Sequence, residues 1–183
     1  IHLHRHRRDD RHLRRRHHGL FLRHGGHSGH ARDRDHRIGS NAGAGTQAAN
    51  SIAIGISAGQ TNQLTNAVAI GNLAGAGTQG TQSIAIGITA GNAAQGTSAI
   101  AIGPSAGLAN QGATTVAVGI QAGQTNQGAS AVAIGNLAGA GTQGANAIAI
   151  GITAGNAAQG TNAIAIGQSA GVANQTGNAT GGA

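Results

Sequence analysis

A sixteen-residue repeat dominates this chain and constrains its fold more than any other feature. The stretch 51–66, SIAIGISAGQTNQLTN, is followed by seven further copies that end at Asn178, and a degenerate copy occupies residues 35–50. Residues sixteen apart are said here to share a column, and the columns are numbered 1 to 16 from Ser51. Such an unbroken period is typical of solenoids, in which each coil packs against its neighbours, so we predict a stack of about nine coils.

A short branched segment in each copy has the period of a β-strand. In Ile52-Ala53-Ile54 two branched residues flank a small one, and this order recurs in all eight full copies. Because side chains alternate between the faces of a strand, the branched residues share one face and alanine takes the other. We expect the branched face to be the core. The predicted core residues are Ile52, Ile54, Val68, Ile70, Ile84, Ile86, Ile100, Ile102, Val116, Val118, Val132, Ile134, Ile148, Ile150, Ile164 and Ile166.

Two glycines in each copy indicate corners. One follows the strand directly in column 5, and the other comes four residues later in column 9. Glycine at such places supplies a positive φ or a close backbone approach, whereas inside a helix each would cost about 1 kcal/mol. The sequence therefore predicts an all-β parallel solenoid, or β-roll, over residues 38–178. Representative corner residues are Gly55, Gly59, Gly71, Gly75, Gly87, Gly91, Gly103 and Gly107.

One glutamine recurs in column 13 of every copy. Parallel coils lie about 4.7 to 4.9 Å apart, so these amides can form a ladder of hydrogen bonds along the axis. Recent duplication is the alternative explanation, because 72–80 (NLAGAGTQG) recurs unchanged at 136–144. The ladder residues are Gln47, Gln63, Gln79, Gln95, Gln111, Gln127, Gln143, Gln159 and Gln175.

The first 37 residues have a different chemistry from the repeats. All eleven Arg, four Asp and ten His lie between His2 and Arg37, and no ionisable side chain follows. This low-complexity segment could bind metal through histidine, or bind nucleic acid or an anionic surface without sequence specificity. It could also be the repeat in another reading frame, since 32–35 (RDRD), shifted by one nucleotide, can encode Ala-Ile-Ala-Ile. Its histidine spacings are irregular, so we predict neither a specific metal site nor a specific nucleic-acid partner.

The repeats contain no constellation typical of catalysis or cofactor binding. They carry no acid, base or nucleophile beyond hydroxyl and amide groups, and no Asp for a calcium roll. Two Gly-x-Gly-x-x-Gly matches, at 75–80 and 139–144, have no helix signal and no acidic residue after them. No apolar run approaches the roughly 18 residues of a membrane span. We predict no enzyme activity, cofactor, metal or membrane span.

The strand motifs resemble those of a known adhesin family. Ser-Ile-Ala-Ile-Gly and Ala-Val-Ala-Ile-Gly, each followed by a small residue three positions on, resemble the head repeats of trimeric autotransporter adhesins. Similar repeats occur in fibre-like proteins of phages and large viruses. The resemblance covers residues 38–178, and it implies a left-handed parallel β-roll, three chains side by side, and binding to host matrix or cells. The sixteen-residue period is longer than the family's usual repeat, and no coiled-coil stalk or membrane anchor follows within this sequence.

These features predict a structural or adhesive protein that associates with itself. A thin, uncharged coil gains little from its own core, and residues 176–183 offer neither charge nor bulk for a terminal cap. We therefore expect a trimer or filament at an extracellular, cell or virion surface, with copies of itself and a host or cell surface as partners. The tail 179–183 follows the repeats.

Two other interpretations remain open from the sequence. An ice-binding solenoid needs a regular array of small hydroxyl side chains. Column 15 offers Thr65, Thr81, Thr97 and Thr161, interrupted by alanine in other copies. The chain could instead be a repeat fragment or a frameshifted product with no evolved activity.

Overall fold

The structure, a computed structural model, describes residues 36–176 and the backbone of residues 179 and 180. All regular structure in this part of the chain is β-strand, and every strand pair is parallel. Equivalent strands recur every sixteen residues, so His36–Ile38 and Ile164–Ile166 enclose eight complete turns. The expected all-β parallel solenoid is confirmed.

The residues in columns 2 to 4 of each coil form the strands of the larger sheet. Each strand pairs in register with the strand sixteen residues on, as Ile84 opposite Ile100 shows. A last strand, β18 (Ala179–Thr180), pairs with β17. The strands are β1 (His36–Ile38), β3 (Ile52–Ile54), β5 (Val68–Ile70), β7 (Ile84–Ile86), β9 (Ile100–Ile102), β11 (Val116–Val118), β13 (Val132–Ile134), β15 (Ile148–Ile150) and β17 (Ile164–Ile166).

Columns 12 and 13 form the second sheet. Its two-residue strands also stack in strict register, with each column 13 glutamine opposite the next. A single bridge between Gln159 and Gln175 extends the sheet by one coil. The strands are β2 (Thr46–Gln47), β4 (Asn62–Gln63), β6 (Thr78–Gln79), β8 (Ala94–Gln95), β10 (Asn110–Gln111), β12 (Asn126–Gln127), β14 (Thr142–Gln143) and β16 (Ala158–Gln159).

The turns between the sheets are stacked and hydrogen-bonded as well. In the corner after β9, Gly103 N donates to Ile86 O of the preceding coil at 2.8 Å, and Gly107 N donates to Ala122 O of the following coil at 2.9 Å. Bonds within the turn are fewer, such as Ala106 N to Gly103 O at 3.2 Å. Because most turn amides bond along the axis, each coil is held by its neighbours through almost its whole circumference.

The core is built from alanine, and the prediction of a branched core is wrong. Alanines in columns 3 and 8, such as Ala101 and Ala106, have no exposed surface, and together with their equivalents they form the hydrophobic core. The branched residues face outward. Half-buried are Ile52, Ile54, Val68, Ile70, Ile84, Ile86, Ile100, Val116, Val118, Val132, Ile148 and Ile164, and exposed are Ile102, Ile134, Ile150 and Ile166.

The reason for this reversal is the width of the coil. A side chain added at Gly107 would place its Cβ 2.3 Å from Cδ of Gln111, which already occupies the interior. Only methyl groups fit beside that amide, so the wider aliphatic side chains take the outer face. In column 1 the buried hydroxyls of Ser51 and Ser83 have no hydrogen-bond partner, whereas the buried hydroxyl of Thr115 donates to Gly112 O at 3.2 Å.

The described part of the solenoid includes two residues before the predicted boundary at Ile38. His36 and Arg37 belong to β1 and lie opposite Ile52 and Ala53 of the next coil. The metal-binding, nucleic-acid-binding and out-of-frame interpretations concern residues 1–35, which lie outside the described residues, and 181–183 of the predicted tail lie outside them too.

Candidate functional site

A continuous ladder of glutamine side chains runs through the interior. The amide nitrogen of Gln95 donates to Oε1 of Gln111 at 2.9 Å, and Gln111 donates to Gln127 at 2.9 Å. From Gln63 to Gln175, each amide also donates to a carbonyl of its own coil, as Gln95 does to Ile84 O at 3.0 Å. The predicted ladder is confirmed from Gln47 to Gln175. The remaining bonds run from Gln47 to Gln63, Gln63 to Gln79, Gln79 to Gln95, Gln127 to Gln143, Gln143 to Gln159, and Gln159 to Gln175.

The ladder has one direction throughout. Every amide nitrogen donates toward the C-terminal end, and every side-chain oxygen accepts from the N-terminal side. The aligned amide dipoles lie in a low-dielectric interior, where such bonds strengthen one another. A buried amide that lost its partner would carry its full desolvation cost. The ladder therefore holds the coils in register and offers no reactive group.

The glycine corners are as predicted, and their geometry explains why no other residue serves. In column 5 the φ of Gly119 is 128°, and an added Cβ would lie 2.6 Å from the carbonyl oxygen of Gly135 in the next coil. In column 9 the φ of Gly107 is 51°, and its missing side chain leaves room for the amide of Gln111. Glycine is required at both corners by φ, and also by the neighbouring backbone in column 5 and by the buried glutamine amide in column 9.

Two further columns have positive φ without glycine, and sequence reasoning missed them. Column 7 includes Leu73 at 55° and Thr89 at 54°, and column 16 includes Asn146 at 58°. Asparagine tolerates this region, so column 16 carried a weak signal, whereas leucine and threonine in column 7 carried none. The stacked backbone bonds hold them there, as Leu73 N donates to Ile56 O at 2.9 Å.

The outer side of the larger sheet is an apolar surface of in-register strands, called here the aliphatic face. It consists of the branched residues of columns 2 and 4 in β3 to β17. Eight coils at about 4.8 Å make it about 38 Å long. No ionisable side chain exists in residues 38–183, so the face itself is uncharged, and the exposed His36 of β1 adjoins its N-terminal end. A contiguous apolar patch of several hundred Å² is often functional.

A second apolar row, the isoleucine ridge, borders this face one residue beyond the column 5 glycine. Its members are Ile56, Ile88, Ile120 and Ile152, which are between 49% and 60% exposed. They occupy column 6 in every second coil. The intervening coils place Asn72, Pro104, Asn136 and Gln168 there, all exposed. Column 6 thus alternates along the axis between isoleucine and a residue that is an amide in three coils and proline in one.

The threonine array considered for ice binding lies in a turn. Thr65 and Thr81 are half-buried, Thr97 and Thr161 are exposed, and alanine interrupts the column at residues 113, 129 and 145. Elsewhere exposed polar side chains bond along the axis in pairs, such as Asn110 with Asn126 at 3.1 Å. These short pairs do not extend over the length of the coil stack.

Among residues 36–176 no group of three or more metal-ligating side chains comes together. The same part of the chain holds no helix with the length and hydropathy to cross a membrane. The aliphatic face with its ridge is therefore the surface feature from which a function can be argued. Comparisons with protein-family models, with curated proteins and with solved structures find no match to this chain.

Proposed function

We propose that this protein is a structural or adhesive fibre subunit whose copies associate side by side through the aliphatic face. The observation that carries the proposal is the outward orientation of sixteen branched side chains on one sheet. Exposed apolar area of this kind is covered in stable assemblies, because its removal from water is favourable. An extracellular, cell-surface or virion-surface location belongs to this proposal.

A second copy is a well-matched occupant for the face. The backbone groups of the sheet are already bonded along the axis, so a partner would add side-chain packing without having to pair strands. The face has no charge to desolvate, and closed symmetric association is the usual way to bury such a surface. The residues that fill the coil interior are too small to stabilise it strongly, and lateral packing would supply apolar burial that the alanine core lacks.

The size of the face suits a modest interface. With the ridge it is about 38 Å by about 13 Å, or roughly 500 Å² per chain. Two such surfaces bury about 1,000 Å², which is near the lower limit for a specific association. A trimer, in which each chain contacts two others, would bury more.

Introducing charge on this face is expected to abolish association. Ile102, Ile134 and Ile150 are between 36% and 39% exposed in the single chain, so the triple substitution by lysine is tolerated by the coil. Burying three unpaired ammonium groups in the interface would weaken association by at least about a hundredfold. Analytical ultracentrifugation of the full chain should show an oligomer for the unsubstituted protein and a monomer with unchanged circular dichroism for the variant.

A matched control places the same charges elsewhere. Thr97, Ala113 and Ala129 are exposed in column 15, in consecutive coils away from the aliphatic face, and their triple substitution by lysine should leave the oligomer intact. A monomeric unsubstituted protein at all concentrations would contradict the proposal. Thermal hysteresis in that monomer would support the ice-binding alternative instead.

A further inference from the structure

The alternation of the isoleucine ridge carries information about how copies align. Ridge residues recur every 32 residues, which is every second coil or about 9.6 Å along the axis. A partner that places apolar groups against the four isoleucines and polar groups against the coils between them needs the same spacing. A second copy of this chain has that spacing because it has the same sequence.

We propose that the ridge restricts two associated copies to registers that place isoleucine coils opposite isoleucine coils. This inference rests on the proposed side-by-side association. In a register displaced by one coil, each ridge isoleucine would face Asn72, Pro104, Asn136 or Gln168. Three of these four are amides, and burying an amide against isoleucine without a hydrogen-bond partner is unfavourable. Displacement by two coils restores the match.

The uniform aliphatic face cannot select a register by itself. Columns 2 and 4 carry Ile or Val in every described coil from β3 to β17, so sliding by one coil exchanges similar side chains. A sheet that looks the same after each step is prone to slippage. Column 6 is an exposed column beside the face in which isoleucine alternates with other residue types, so it supplies the specificity that the face lacks.

Disulfide trapping tests this proposal, because the chain contains no cysteine. Single variants Ile88→Cys, Ile120→Cys and Pro104→Cys are prepared in the full chain and mixed in pairs. One coil is about 4.8 Å, beyond the usual Cβ separation of a disulfide. If the copies run parallel, we expect Ile88→Cys to cross-link with itself, and if they run antiparallel, with Ile120→Cys. In either case the reaction should be at least about tenfold faster than that between Ile88→Cys and Pro104→Cys.

A continuous-ridge variant is the matched control. Substituting isoleucine at Asn72, Pro104 and Asn136 removes the alternation. In this background, a cysteine introduced at position 88 should cross-link with a cysteine introduced in an adjacent coil at nearly the rate of the matched pairs. Equal rates for the matched and mismatched pairs, in a protein that is still an oligomer by ultracentrifugation, would overturn the register proposal alone. A monomer would overturn both proposals.

A separate inference concerns the N-terminal end of the glutamine ladder. Arg37 lies opposite Ala53, in the column that holds buried alanine in the later coils. Its guanidinium Nε donates to Oε1 of Gln47 at 2.7 Å, and Nη1 donates to Gly43 O at 2.8 Å. In every later coil that glutamine oxygen accepts from the amide of the preceding glutamine. Arg37 therefore occupies the place of a missing ladder amide.

We infer that Arg37 terminates the ladder as a charged cap. The column 13 residue one period before Gln47 is Ala31, which has no amide to donate. A cation at the acceptor end of aligned dipoles forms a charge-assisted hydrogen bond, which is stronger than the hydrogen bond between two amides that it replaces. The cap also satisfies a carbonyl of the first corner. This role depends on the coil alone and is independent of association.

Hydrogen exchange tests the cap in the full chain. Arg37→Ala is expected to lower protection in the first coil, at the Gln47 side-chain amide and the Ala48 backbone amide, by about tenfold or more. Protection at Gln127 should be unchanged, because solenoid coils contact only their neighbours. Arg37→Lys keeps the charge but cannot make both hydrogen bonds of the guanidinium, so its protection should lie between that of the unsubstituted protein and that of Arg37→Ala. His36→Ala, an exposed change in the same strand, is the control, and equal protection in it and in Arg37→Ala would overturn the inference.

Discussion

Replacing Gly119 with alanine is expected to lower the stability of the solenoid by about 2 to 6 kcal/mol. Strain at a positive φ contributes about 1 to 3 kcal/mol, and overpacking contributes about 1 to 3 kcal/mol more. The new Cβ would lie 2.6 Å from the carbonyl oxygen of Gly135, and this atom belongs to a hydrogen-bonded backbone that cannot move independently. Urea unfolding followed by circular dichroism measures the loss. Because the coils are stacked, unfolding can begin at the substituted corner and proceed in separate steps.

Gly160 is the matched control for this substitution. It also lies in a turn, but its nearest contact for an added Cβ is Gln175 O at 3.3 Å. Leu64 and Thr176 occupy the same column, so side chains are accommodated there. Gly160→Ala should therefore change stability by less than about 1 kcal/mol. Equal losses for the two variants would show that backbone approach in column 5 is not the decisive constraint.

Substituting leucine for Gln111 is expected to cost about 3 to 5 kcal/mol. The change conserves volume but removes three hydrogen bonds, because Gln111 accepts from Gln95, donates to Gln127 and donates to Ile100 O. Each buried polar group left without a partner costs about 1 to 3 kcal/mol. Denaturant titration gives the size of the loss. Side-chain amide exchange should show that it is largest at Gln95 and Gln127.

Gln124→Leu, in the following coil, provides the comparison. Gln124 is half-buried in column 10, where Leu108 and Val172 stand in other coils. Its replacement should alter stability by no more than about 0.5 kcal/mol. If Gln111→Leu were as harmless as this control, the ladder would be a by-product of duplication rather than a structural requirement.

Much of the fold follows from the repeat without coordinates. Equal residues sixteen apart can satisfy one another only if the coils stack in parallel register, and this argument places β9 beside β11 and Gln95 beside Gln111. The glycines of columns 5 and 9 were likewise identifiable as corners, since no other residue type appears there in the described coils. These predictions succeed because the information lies in the period itself.

Which face of each strand points into the coil is decided only by the tertiary structure. The alternation of Ile100, Ala101 and Ile102 defines two faces, but either could point inward. Closure of a coil in sixteen residues leaves an interior that Ala101 and the amide of Gln111 fill completely, so the isoleucines are forced outward. The positive φ of Leu73 was equally hidden, because stacked backbone bonds to the neighbouring coil outweigh its local preference. The aliphatic face, on which the proposed function rests, is thus a consequence of how narrow the closed coil is.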